Sequence, residues 1–447
     1  MNTAWPCVKP QLVWREPQDD WQVVCTSLAA ARQSIAIPIY ELGGPPVIEA
    51  LCAAKARGVE ICVLFNGQFY VGANRFDSRY DQVYAVIDAL ERAPGNGALA
   101  FVWSANNFSI THQKTILIDA MRKGMALPAA ALPDSARALV LTMNLCRYAW
   151  MTSDQGSRAG LPFPMPWQFW GPAHPHMKGF PLRDFGAVLT DPSLVAQIAA
   201  IFASDFQGPS GSETNSLASS QDGLVWSNGS TGLPNYYPNG GSYPSYEPST
   251  TAGAVDQGNA RAVHLQLINA AQQTLMVYNE EMADSQIVSA IAAAAQRGVQ
   301  VRILLTGNVT TGDGGAWVYE SASQYSQLAA AGATIRLFCA GPDHMYIHAK
   351  VLLADAGGES AIAFMGSQNI SGNSLNFNRE LGIQLAGEED TALFIETFNS
   401  DWATEGLVQW PAQGPNPTPA ALKAPLPIYN PAASANAPMP QGPIARR

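Results

Sequence analysis

His112-Gln113-Lys114-Thr115-Ile116-Leu117-Ile118-Asp119 recurs later in the chain as His348-Ala349-Lys350-Val351-Leu352-Leu353-Ala354-Asp355. Both stretches read His-x-Lys-x4-Asp, and both carry the apolar run of a buried strand. One copy would say little, because a lone His-x-Lys on a strand is usually incidental. Two copies in matching contexts point to two halves of one chain that face each other and share one site.

The repeat extends outward from these motifs. Leu28-Ala29-Ala30-Ala31-Arg32-Gln33-Ser34-Ile35 and the following Ala36-Ile37-Pro38-Ile39-Tyr40-Glu41 match Ile268-Asn269-Ala270-Ala271-Gln272-Gln273-Thr274-Leu275 and Met276-Val277-Tyr278-Asn279-Glu280-Glu281. An Ala-rich helix ending Lys55-Ala56-Arg57-Gly58 leads into Val59–Leu64, as Gln296-Arg297-Gly298 leads into Val299–Leu304. Arg297 lies 240 positions after Arg57. Glycine just past a helix end is the expected stop. The aliphatic runs that follow suit strands covered on both faces. Leu12-Val13-Trp14 and Leu224-Val225-Trp226 rhyme as opening strands. Alternating strands and helices in each half predict an α/β fold. So long a period is a domain duplication, since solenoid units recur much faster.

The repeat divides the chain into an N-terminal half (1–205), a linker with a Gly/Ser/Tyr/Pro-rich insertion (206–257), a C-terminal half (258–410) and a Pro/Ala-rich tail (411–447) expected to lack structure. Residues 121–138 form a further insertion after the first motif, and 228–257 read either as a loop or lid or as a disordered surface insertion.

Composition bounds the partners. Of the 447 residues only 13% are charged, against ~25% in an average domain, and the net charge is −10. A general nucleic-acid coat needs a basic surface to displace counterions, so this balance argues against one. No run of ~18 apolar residues reads as a membrane span. Met1–Cys7 has no charged and apolar leader pattern, so the expected location is the cytoplasm or leaderless export. The six cysteines lack Cys-x2-Cys spacing, which speaks against a zinc site.

The residue types around the motifs suit phosphoryl transfer. On a regular strand His112 and Lys114 share a face, as do His348 and Lys350. Asp119 and Asp355 sit at an odd offset from their histidines and read as structural carboxylates. Two histidines and two lysines in one pocket supply what a phosphodiester needs for metal-free cleavage. Gly366-Ser367-Gln368-Asn369 follows the second motif, and Leu141-Thr142-Met143-Asn144 follows the first. Glycine there would allow close backbone approach to a ligand, and Thr142, Ser367, Asn144 and Asn369 would bond phosphate oxygens. Asn378-Arg379-Glu380-Leu381-Gly382 is echoed by Leu182-Arg183-Asp184-Phe185-Gly186. Asp184 and Glu380 could orient the imidazoles, as a third group orients the base of a triad.

Together these elements resemble the phospholipase D superfamily, also called the HKD family, most nearly its bacterial phospholipase D and cardiolipin-synthase-like branch. The resemblance covers residues 10–405 apart from the insertions. It implies two similar α/β halves, each with a mixed sheet flanked by helices, related by a pseudo-twofold axis around one shared active site. It also implies a covalent phosphohistidine, no cofactor and no metal, with His112 as nucleophile and His348 as acid and base. Lys114, Lys350, Asn144 and Asn369 would then hold phosphoryl oxygens.

The expected partner is a glycerophospholipid, with peripheral membrane contact. Trp167 and Trp170 in the stretch Leu161–Pro172 are candidates to meet a lipid interface or acyl chain, and His176 and Lys178 could touch a head group. The alternative is a nuclease of the same superfamily, for which Arg147, Arg158, Arg183 and Arg379 would supply a short basic track. His264 and His344 lack a motif context, and His174 lies with His176 just after the Leu161–Pro172 stretch. A monomer carries both motifs and suffices for catalysis.

Overall fold

The computed structural model describes residues 6–19, 21–67, 78–104, 108, 110–146, 182–207, 222–228, 258–280, 282–306, 322–338, 345–405 and 407–410. Arg147, Arg158, Trp167, Trp170, His174, His176, Lys178 and His344, almost all of the 228–257 insertion and the 411–447 tail lie outside them.

The first half runs β1 (Leu12–Glu16), α1 (Gln22–Ala30), β2 (Ser34–Ile39), α2 (Pro45–Ala56), β3 (Glu60–Phe65), α3 (Ser78–Arg92), β4 (Leu99–Trp103), β5 (Thr115–Ile118), the hairpin β6 (Met121–Arg122) and β7 (Met125–Ala126), β8 (Arg137–Leu141), β9 (Leu182–Leu189) and α4 (Pro192–Gln207). The second half runs β10 (Leu224–Asn228), α5 (Ala260–Ala270), β11 (Thr274–Tyr278), α6 (Ser285–Gln296), β12 (Gln300–Thr306), α7 (Ala322–Ala330), β13 (Thr334–Phe338), β14 (Tyr346–Ile347), β15 (Val351–Ala354), β16 (Ile362–Gly366), α8 (Gly372–Asn376), β17 (Arg379–Ala386), α9 (Glu388–Trp402) and β18 (Val408–Trp410). Helices α2 and α6 close at Gly58 (φ 87°) and Gly298 (φ 94°), a conformation glycine adopts without a Cβ clash.

Each half builds a mixed sheet, in the order β1-β9-β8-β5-β2-β3-β4 and β10-β17-β16-β15-β11-β12-β13-β18. β2 pairs parallel with β3 and antiparallel with β5, and β11 does the same with β12 and β15. The fold is therefore the duplicated α/β architecture expected. The inserted segment 121–138 contributes the β6–β7 hairpin, paired Met121↔Ala126.

The core forms three apolar layers. One packs the outer face of the first sheet against α1–α3, and another packs the outer face of the second sheet against α5–α7. The third joins the inner faces of both sheets, with Leu117, Ala138 and Phe185 meeting Met276, Tyr278 and Phe394 alongside α4 and α9. Burial on both faces explains why the central strands read as unbroken aliphatic runs.

The rhyme between the two opening strands hides a one-residue slip. Trp14 pairs with Gly186, but in the second half Val225 takes the matching place opposite Gly382 and Trp226 faces Leu381. A shift of one residue moves a side chain to the other face. Trp14 accordingly lies in the outer core of its half, and Trp226 lies in the layer between the halves.

The halves also exchange backbone hydrogen bonds at the motifs. β14 pairs parallel with β9 of the first half, and Thr111 bridges in parallel to Arg379. The His112 amide donates to the Arg379 carbonyl at 2.9 Å, and the His348 amide donates to the Arg183 carbonyl at 3.2 Å. Each histidine is thus delivered to the strand of the opposite half that begins with Arg and an acid.

Candidate active site

Neither histidine stands within its strand. β5 begins at Thr115 and β15 at Val351, so the His-x-Lys segments form the approach to each strand rather than its middle. There the backbone is held by the other half, and each ring meets that half's acid. His112 Nδ1 lies 3.0 and 2.9 Å from the two oxygens of Glu380. His348 Nδ1 lies 2.9 and 3.1 Å from those of Asp184. A carboxylate can only accept, so Nδ1 carries the proton and Nε2 is left for chemistry. Both acids are completely buried. Glu380 also accepts from Ser374 Oγ at 2.5 Å and Asn378 Nδ2 at 3.0 Å, and Asp184 accepts from Thr142 Oγ1 at 2.6 Å.

Burial pushes the His112 imidazole toward its neutral form. Glu380 opposes that shift, and the charges of Lys114 and Lys350 add to it. Burial would raise the Glu380 carboxyl, but His112, Lys114 and the hydrogen bonds hold it below the usual carboxylate range. Tyr40 and His112 pack their rings in a T-shaped contact, with centroids 5.0 Å apart.

The lysines flank this pair. Lys114 Nζ donates to the His112 carbonyl at 2.7 Å, and Lys350 Nζ donates to the His348 carbonyl and, at 3.0 Å, to Glu280. Burial drives the Lys114 ammonium down to about 7, with the charge of Lys350 lowering it further and Glu380, Glu280 and Glu41 opposing. The two lysines feel each other across the junction of the halves, so they serve one site.

Asp119 and Asp355 end their strands in the left-handed conformation, at φ 53° and 51°. Asp119 accepts from the amides of Arg32, Gln33 and Ser34 and from Ser135 Oγ. Asp355 accepts from the amides of Gln272, Gln273 and Thr274. Each ties the end of its strand to the turn that opens β2 or β11.

Some expected contacts take another form. Thr142 and Ser367 are fully buried and bond the adjoining strand, Thr142 Oγ1 accepting from the Phe185 amide at 2.9 Å and Ser367 Oγ from the Leu381 amide at 3.1 Å. Their hydroxyls brace β9 and β17 instead of facing a ligand. Gly366 serves strand packing: a Cβ there would stand 2.4 Å from Gly382 Cα. Asn144 is buried in the turn after β8, and Asn369 Nδ2 lies 3.4 Å from Glu280. His264 is buried and bonds the Ala260 carbonyl through Nδ1, with burial lowering it to about 4. Burial pushes the Cys52 thiol up to about 11 and the Cys62 thiol up to about 12, as befits inert core cysteines.

Sequence reasoning passed over Glu280, Tyr346, Ser374 and the precise partnership of Asn378 with Glu380. Only Glu280 left a signal: the repeat aligns it with Tyr40, so an acid in one half replaces a phenol in the other.

A family model described as "Cardiolipin synthase, PLD-like domain" matches residues 24–153 and 264–402. The chain belongs to the phospholipase D superfamily. Its two matched segments are the two halves that carry the motifs. A cardiolipin synthase of Clostridium perfringens is 30% identical over 139 residues, a match spanning 31% of this chain and 27% of that protein. Phosphatidylserine synthase of Haemophilus influenzae shares the superfamily fold at TM-score 0.51 and 10% identity, over 90% of this chain and 88% of that one. Polyphosphate kinase of Porphyromonas gingivalis superposes at TM-score 0.52 and 12% identity, over 89% of this chain but 48% of the other. These structural likenesses establish a fold.

Proposed function

We propose that this protein is a metal-independent phosphodiesterase of phospholipase D type, which hydrolyses glycerophospholipids or transfers their phosphatidyl group to an alcohol. The observation that carries this reading is the crossed pair of His–carboxylate contacts, His112 with Glu380 and His348 with Asp184. His112 Nε2 attacks phosphorus and the bond to the head-group oxygen breaks. His348 gives its Nε2 proton to that oxygen. His348 then takes a proton from water or an acceptor alcohol as the new oxygen attacks and the N–P bond of the phosphohistidine breaks. Lys114, Lys350, Asn144 and Asn369 hold the phosphoryl oxygens and offset charge in the transition state. Thr142 and Ser367 act as supports of this set.

A lipid substrate is favoured by the net charge of −10 and by the cardiolipin synthase description of the family. Two arginines of the nuclease reading are spent elsewhere: Arg183 is paired with Asp401 at 2.7 Å and Arg379 with Asp205 at 2.9 Å, all four buried or nearly so. Among the described residues no helix is long and apolar enough to cross a membrane.

Mixed phospholipid vesicles with ethanol, and single- and double-stranded DNA in parallel, test the proposal in EDTA. Phosphatidic acid and phosphatidylethanol are the expected products, reduced by about three orders of magnitude or more in His112→Ala and His348→Ala. DNA cleavage with inert lipid would replace the reading by the nuclease one. Loss of activity in EDTA would contradict the metal-free mechanism.

A further inference from the structure

The two halves match at the histidines, the lysines and their acids, but not around Glu280. Glu280 Oε2 lies 3.7 Å from His348 Nε2, the atom that faces the reaction, and 3.0 Å from Lys350 Nζ. Its other oxygen accepts from Tyr346 OH at 2.8 Å, and Asn369 Nδ2 approaches Oε2 at 3.4 Å. The repeat places Tyr40 where Glu280 stands, and Ile110 where Tyr346 stands. The first half thus sets an aromatic ring beside His112 and an aliphatic side chain in place of the supporting phenol. Glu41, the nearby first-half acid, acts on Lys114.

We propose that Glu280 is the positioning residue that divides the labour between the two histidines. Its carboxylate, fixed by Tyr346 and Lys350, faces His348 Nε2 and commits that ring to proton donation to the leaving alcohol. His112, with an aromatic ring in the place of that carboxylate, attacks through Nε2. Burial alone would raise the Glu280 carboxyl, yet Lys350 and His348 hold it ionised far below the usual range. Burial lowers the pKa of the His112 imidazole, against the pull of Glu380.

This inference rests on the phospholipase D-type reading and makes a claim that reading lacks. Dependence on proton donation shows in the leaving group: choline needs a proton to depart, whereas p-nitrophenolate leaves as an anion. Short-chain phosphatidylcholine and the matching phosphatidyl-p-nitrophenol are therefore compared in wild type, Glu280→Gln and Glu280→Asp. In Glu280→Gln, kcat on the choline ester is expected to fall about a hundredfold. Turnover of the nitrophenyl ester should change less than about threefold, with KM for both little altered. Glu280→Asp should restore about a tenth or more of the lost rate, since it keeps the charge. Equal losses on both esters would assign Glu280 to structure or to phosphate binding through Lys350, and would overturn the proposal. So would an unchanged choline rate. A wild type inert toward both esters would instead defeat the phospholipid reading, and this inference with it.

Discussion

Glu380 and Asp184 each hold one imidazole in a single tautomer, and their value lies in that orientation. Glu380→Gln offers His112 Nδ1 an amide that can present either a donor or an acceptor, so Nε2 is no longer reliably bare. The expected loss in kcat is about 10²- to 10⁴-fold, the range seen when a triad acid is made neutral, with KM little changed in steady-state assays. Lys114 brings pH sensitivity. Its pKa is lowered to about 7, so its charge is present below that pH and lost above it. Binding of an anion whose own charge is constant should follow. Inhibition by sulfate is expected to weaken by up to about tenfold per pH unit above pH 7, and to stay flat in Lys114→Arg. A flat profile in the wild type would show that Lys114 does not meet the phosphoryl oxygens.

The motif aspartates belong to the join between elements. Asp119 satisfies three backbone amides in the turn between α1 and β2. Asp119→Ala should cost about 1–3 kcal/mol of stability in urea titrations, for leaving the buried Ser34 amide and two part-buried amides unpaired, while the folded variant keeps kcat within about threefold. A kcat collapse at unchanged stability would make Asp119 part of the reaction. The halves are clamped by two buried ion pairs at equivalent places, Arg183 with Asp401 on α9 and Arg379 with Asp205 on α4. Tyr278 OH also donates to Asp401 at 2.6 Å. Removing one partner leaves a buried charge, so Arg183→Met should destabilise by about 3–5 kcal/mol, again read by urea titration.

Much of this architecture was legible in the chain, for identifiable reasons. The duplicated His-x-Lys segments, the glycine stops and the aliphatic strands are local signals, and they located both halves and the histidines and lysines that meet between them. What escaped depends on neighbours far away in sequence. Nothing near His112 announces that Glu380, not Asp184, is its partner, because strand exchange between the halves makes that choice. Strand alternation alone places His112 and Lys114 within a strand, whereas they lead into β5. Thr142, Ser367 and Gly366 looked ligand-facing because a hydroxyl can bond a phosphate oxygen and glycine admits close approach, yet strand pairing turns them inward. Trp226 was misplaced by a slip of one residue. Trp167 and Trp170, assigned to lipid by composition alone, fall outside the described residues.

Taken whole, one chain carries both motifs and both acids of the proposed site. Specific activity should therefore stay constant on dilution, and mixing His112→Ala with His348→Ala should restore none. Recovery on mixing would mean that the site is completed between chains. The claim on which the account rests is that His112 becomes phosphorylated at a site whose acid and base is His348. His348→Ala with bis-(p-nitrophenyl) phosphate tests it, because nitrophenolate departs without a proton but water then lacks its base, so the intermediate should accumulate. The predicted result is a burst of about one equivalent of nitrophenolate per chain, with mass spectrometry after alkaline quenching placing the phosphoryl adduct on His112. A burst that survives in His112→Ala, or an adduct on any other residue, would contradict it.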